Sequence, residues 1–170
     1  MSELKICIPE AEVVQAAQEG MDAFVGVFHK HILEAIGGEL NAESMPLLNA
    51  DQITLLAYMI VREEVMDGGF IQLIHNGYGP FIFLNPFAKA LRLWGAHDFS
   101  KLIYRGRKLY EQHADALTRE CSDEEFMALF EQYPDFDDLD DEFVESEEDI
   151  TETVARYIDE HIDQFATIEK

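Results

Sequence analysis

Basic residues are what this chain of 170 residues has least of: 12 Lys and Arg stand against 35 Asp and Glu, a net charge of −23 with histidine neutral. Grip on a phosphate backbone runs through cations that displace counterions, and docking on an anionic leaflet needs the same residues, so nucleic acid and membrane surface are both excluded as direct partners. Cysteine is scarce too. Cys7 and Cys121 form no C-x-x-C pair and are too few to staple a secreted scaffold, which points to a reducing cytoplasm. The densest apolar run, Ile53 to Val61, is interrupted by Tyr58 and is far shorter than a membrane span, and the opening Met1–Pro9 lacks the basic and apolar regions of an export signal.

What is present is enough apolar surface to fold. Hydrophobic residues make up 48% and aromatics 11% of the chain, and its length suits one domain, residues 1–170. Apolar steps of three and four predict a helix from Glu10 to Ile36 that ends at Gly37-Gly38, and a second from Asn49 or Asp51 to Asp67 that is stopped by Gly68-Gly69. Phe70–His75 reads as a short helix closed by Asn76-Gly77-Tyr78-Gly79-Pro80; a hairpin with Phe81–Leu84 as a strand is the other solution. Asn85-Pro86 predicts a capped helix that buries Phe87, Leu91, Leu93 and Trp94 before Gly95, and another runs from Asp98 to Thr118. Ser122-Asp-Glu-Glu125 is a capping box for a helix that Pro134 ends, and Ser146–Phe165 carries a last apolar stripe. The expectation is an all-α fold of six to seven helices with no strand.

Chemistry has little to work with. His29 and His31 are two apart and cannot grip a metal from one helix face, and His97, His113 and His161 stand alone. A calcium loop starting at Asp138 would need Gly at its sixth position and Glu at its twelfth, where Phe143 and Asp149 stand. None of the five serines lies in a G-x-S-x-G elbow. No catalytic residue, metal site or cofactor is expected. A pocket around His75, Asn76 and Tyr78 is the only place left for an enzyme.

The charge is local. Residues 120–170 hold 20 acids and two bases, whereas residues 1–119 hold 15 acids and 10 bases. Asp135–Asp149 is densest, with ten carboxylates in fifteen residues, interrupted at near-helical spacing by Phe136, Leu139, Phe143 and Val144. Wound as a helix at ~1.5 Å per residue, the stretch carries a charge per about 2.2 Å, near the ~1.7 Å of duplex DNA. The acids expected to act as phosphate surrogates are Asp137, Asp138, Asp140, Asp141, Glu142, Glu145, Glu147 and Glu148. The basic island Lys101, Arg105, Arg107 and Lys108 is expected to pair with the protein's own acids.

The segment Gly68-Gly69-Phe70-x-Gln72-x-x-x-Asn76-x-x-Gly79, with Ala90-Leu91 and Gly95-Ala96 following, resembles the bacterial DNA-mimic protein family of small, acidic, mostly helical cytoplasmic proteins. An Asn often precedes the two glycines in that family, where this chain has Asp67. Read as residues, the motif is structural: glycines to stop a helix, Phe70 for the core, Gln72 and Asn76 to bond backbone at the turn. The resemblance implies a homodimer whose negative surface imitates duplex phosphates and occupies a basic DNA-binding protein, a transcription factor or nucleoid protein, in competition with DNA. The same electrostatics would suit an immunity protein that neutralises a basic toxin nuclease.

Overall fold

The computed structural model describes residues 4–170, so the first three residues of the opening segment lie outside it. Its order is β1 (Cys7–Pro9), α1 (Glu10–Glu19), α2 (Met21–Ala35), α3 (Ala50–His75), α4 (Gly79–Phe83), α5 (Phe87–Leu93), α6 (His97–Leu117), α7 (Asp123–Gln132), α8 (Asp137–Glu160), α9 (Ile162–Phe165) and β2 (Thr167–Glu169), with 3-10 turns at Met45–Leu47 and Pro134–Phe136. The expected helical class holds, with nine α-helices among the described residues where six or seven were anticipated. No described helix is long and apolar enough to cross a membrane. The chain divides into two compact units, one formed by the described residues up to Leu56 together with Asp149–Lys170, the other by Ala57–Glu148.

In the first unit, the helix expected over Glu10–Ile36 is two. Gly20, at φ 127° and ψ 177°, breaks it, a conformation that costs glycine little. The two halves fold back on each other: Glu12 of α1 takes a hydrogen bond from His31 Nε2 of α2 (2.8 Å), which holds its carboxyl below the ordinary range. Phe24, Phe28 and Phe165 form an edge-to-face ladder inside this unit. Asn49 caps α3 reciprocally, its Oδ1 accepting from the Gln52 N–H (2.8 Å) while Gln52 Oε1 accepts from the Asn49 N–H (3.0 Å). Two strands appear that the sequence reading did not anticipate. β1 and β2 pair in parallel, Ile8 opposite Ile168; three-residue strands offer too little alternation to read.

The second unit is built on an aromatic core. Phe99 lies edge-on to Tyr58 and Phe87 and against Phe143, and Phe83 stacks on Tyr110 at 5.4 Å. The expected stop at Gly68-Gly69 is a kink within α3, with Gly69 at φ 75° and ψ −179°. Phe81–Phe83 belongs to α4, so the helical solution, not the strand, is the one adopted. Asn85 does not cap α5; its Nδ2 donates to the Phe81 carbonyl (3.0 Å), and Leu93 is 76% exposed rather than inward. The capping box of α7 forms as read, the Glu125 N–H donating to Ser122 Oγ (3.2 Å) and the Ser122 N–H to Glu125 Oε1 (3.4 Å). The acidic stretch is helical. From Asp137 it opens α8, which buries Leu139 and Phe143 next to Phe136 of the preceding 3-10 turn, whereas Val144 stays 51% exposed.

Candidate functional site

Within the second unit, the burial of Phe136, Leu139 and Phe143 sets which way the acids of α8 point. Asp138, Asp141, Glu145 and Glu148 follow at steps of three and four and are exposed, as is Asp137. These five over the twelve residues from Asp137 to Glu148 amount to one free carboxylate per about 3.6 Å at ~1.5 Å rise. That matches the ~3.4 Å spacing of one DNA strand and is half the density of a duplex.

The other three expected surrogates have partners inside the fold. Glu147 Oε1 sits 2.6 Å from Arg62 Nε, with only 12% of its side chain exposed, and Glu142 Oε2 lies 2.7 Å from Arg105 Nη2. Asp140 Oδ1 accepts from the Phe70 N–H (2.8 Å), the first amide after the α3 kink. Burial pushes the Asp140 carboxyl up to about 6; the Phe70 N–H pulls the other way, and the charges of Asp137 and Asp141 add to the rise.

The Gly68–Gly79 motif explains why Asp140 is there. The helical turn beginning at Phe70 follows two glycines that have no side chain to cap it, so its acceptor comes from α8, seventy residues on. A Cβ on Gly69 would collide with the Asp140 carboxylate, one on Gly68 with the Gln72 side chain, and one on Gly79 with the Tyr110 ring. Phe70 is fully buried. Gln72 and Asn76 differ from expectation: instead of bonding backbone, Gln72 Nε2 donates to Glu64 Oε2 (2.7 Å) and Asp67 Oδ2 (3.0 Å), and Asn76 Nδ2 to Glu64 Oε2 (3.0 Å). Two uncharged amides thus hold two carboxylates beside the kink.

The remaining candidates are accounted for by local contacts. His75 Nδ1 bonds the Leu117 carbonyl (2.9 Å) and its ring rests 4.7 Å from Phe126, while His113 rests on Tyr133 and Phe136. Among the described residues no three His, Cys, Asp or Glu side chains gather so as to hold a metal ion. Arg105 and Arg107 of the basic island pair with Glu142 and Glu111, as expected of a stripe that serves the protein's own acids. Sequence reasoning missed the Asp140–Phe70 and Glu147–Arg62 links, although a signal existed: Asp140 and Glu147 each follow a buried phenylalanine by four residues, which puts both beside the inward face.

A family model described as DMP19-like protein matches residues 46–161, a span that contains the glycine motif and all eight acids. The chain is also 35% identical over 127 residues to a protein of Neisseria meningitidis serogroup B named DNA mimic protein DMP19, covering 74% of this chain and 77% of that protein. With the family model matching residues 46–161 and a 35% identical relative aligned over 74% of its length, this chain belongs to the DMP19-like protein family.

Proposed function

We propose that the protein is a DNA mimic that binds a basic DNA-binding protein, a transcription factor or nucleoid protein, and keeps it from DNA. The observation that carries this reading is the row Asp138, Asp141, Glu145 and Glu148, with Asp137, held on a helix whose opposite face is buried. A carboxylate row on a packed helix keeps its spacing without the ordering cost that a disordered tail meets on binding. The name of the Neisseria relative points the same way. One row supplies the charge of one strand, so a homodimer in the cytoplasm, offering a second row, is the form we propose for the active species. The role is recognition, with no catalytic step and no cofactor.

The test is a pull-down from native cytoplasmic extract at low salt, eluted in salt steps, followed by titration of whatever DNA-binding protein is recovered. Duplex DNA should compete it off, and affinity should fall steeply with salt because the interface is steered by charge. The variant Asp138→Asn, Asp141→Asn, Glu145→Gln, Glu148→Gln should keep its helicity and bind roughly 30-fold more weakly, taking about 0.5 kcal/mol for each exposed pair. Affinity that ignores salt, or survives this variant, would sink the proposal.

A further inference from the structure

Basic residues are segregated here as well as scarce. Residues 68–110 contain six of them, Lys89, Arg92, Lys101, Arg105, Arg107 and Lys108, and a single acid, Asp98, for a net +5 inside a chain of −23. Arg105 and Arg107 are engaged by Glu142 and Glu111. The other four are exposed and make no ion pair among the described residues.

These four lie on α5 and α6, which are locked together by a buried hydrogen bond from Ser100 Oγ to the Ala88 carbonyl (2.6 Å). Beside that bond opens a cavity of about 210 Å³, with buried Phe83, Ala88 and Ile103 among its walls and exposed Lys89, Tyr104 and Arg107 at its edge. A cavity of ~150 Å³ already holds a benzene ring, so this one has room for a single aromatic or branched side chain. Lys101, Tyr104 and Lys108 share one stripe of α6, and Leu93 follows Lys89 by one turn of α5. Tyr104 is 47% and Leu93 76% exposed, and the Tyr104 hydroxyl has no hydrogen-bond partner among the described residues.

We infer that this face docks an acidic segment of a partner protein, an Asp- and Glu-rich stretch that seats one apolar side chain in the α5–α6 cavity while its carboxylates meet Lys89, Lys101 and Lys108. Charge complementarity chooses the sign of the occupant, since a basic partner is repelled here and attracted by α8. The cavity favours a peptide over a polynucleotide, because a phenyl or branched side chain suits walls of Phe83, Ala88 and Ile103, whereas a nucleobase would leave its ring nitrogens and exocyclic groups unpaired against them. The face therefore serves a different partner from the acidic row and does not depend on what that row binds.

The experiment titrates the full chain at low ionic strength into a fluorescein-labelled synthetic peptide of alternating Asp and Glu around one central Phe, with anisotropy as the readout. Saturable binding is expected. It should weaken about tenfold when the peptide's Phe becomes Ala, the effect of losing one buried side chain, and about tenfold when the protein carries Lys89→Glu and Lys101→Glu. Both substitutions are on exposed positions and should leave the circular dichroism unchanged; Tyr104→Ala, which alters the edge and no charge, provides a second variant that should also weaken binding. No binding, equal binding by the variants, or equal binding of a single-stranded oligonucleotide of matched charge overturns the inference. So does sedimentation in which Lys89→Glu and Lys101→Glu turn a dimer into a monomer, because the face would then be covered by a second copy.

Discussion

Asp140 gives the sharpest separation between an acid that builds the fold and one left free on the surface. Its carboxylate takes the first N–H after the α3 kink, at 2.8 Å, and burial raises its pKa to about 6 from 3.8. Asp140→Ala leaves the amide of the fully buried Phe70 unpaired and should cost ~1–3 kcal/mol at pH 5, and about 1 kcal/mol less at pH 7.5, because it too removes the carboxyl that burial disfavours. Asp140→Asn keeps an acceptor oxygen and removes the charge that burial disfavours. A carboxyl whose pKa is raised by folding contributes stability that is fully present below the unfolded pKa and lost as pH rises through the folded one. The wild type should therefore weaken between about pH 4 and pH 7 through this group. Two pKa units correspond to ~3 kcal/mol; screening by the solvent that still reaches the half-buried group reduces this to about 1 kcal/mol.

At pH 7.5, then, Asp140→Asn should melt ~2–4 °C above the wild type, and the gap should close by pH 5, where the wild-type carboxyl is itself protonated. Thermal melts by circular dichroism at half-unit pH steps measure this directly. An Asn variant as damaged as the Ala variant would mean that the negative charge itself holds the kink, and an undamaged Ala variant would mean that Phe70 does not depend on α8. Either result refutes the reasoning.

Gly69→Ala should destabilise by about 2 kcal/mol in chemical denaturation, because φ 75° with ψ −179° is a region open essentially to glycine alone and the new Cβ meets the Asp140 carboxylate; a neutral result would show that the kink can relax. Glu147→Ala removes the 2.6 Å ion pair with Arg62 at a mostly buried site and should cost about 2 kcal/mol, while Glu142→Ala, whose pair with Arg105 is half exposed, should cost under ~1 kcal/mol. Equal losses in the two variants would contradict the ranking by burial.

Helix ends carried by local chemistry were legible in the sequence: Asn49, Ser122 with Glu125 and Gly37-Gly38 act where they were read, while Gly68-Gly69, read as a stop, makes a kink within α3. The break at Gly20 was hidden because the apolar period continues from Val13 and Ala16 into Phe24 and Phe28, and one glycine within such a pattern is ordinarily tolerated. The pairing of Cys7–Pro9 with Thr167–Glu169 joins the two ends of the described chain and has no local signature at all. At the candidate site, the helix period sufficed to place Phe136, Leu139 and Phe143 inward. Counting ten carboxylates without sorting them by face overstated the free charge of the stretch, since Asp140, Glu142 and Glu147 are committed to Phe70, Arg105 and Arg62.

Those three commitments also bear on how the five free acids can work. Together they tie the first half of α8 to two elements, α3 through Phe70 and Arg62 and α6 through Arg105, so the helix cannot rotate to present another face without giving up several contacts at once. A row locked in rotation offers its charges at a spacing set by helix geometry, which a basic groove shaped for phosphates can meet without reordering them. Free carboxylates at about 3.6 Å equal one strand and no more. A partner that grips both strands of a duplex should therefore bind a dimeric form of this protein far more tightly than a monomeric one, and a partner that touches one strand should show no such preference. Comparing the recovered partner's affinity for the two forms, separated by size, decides between them.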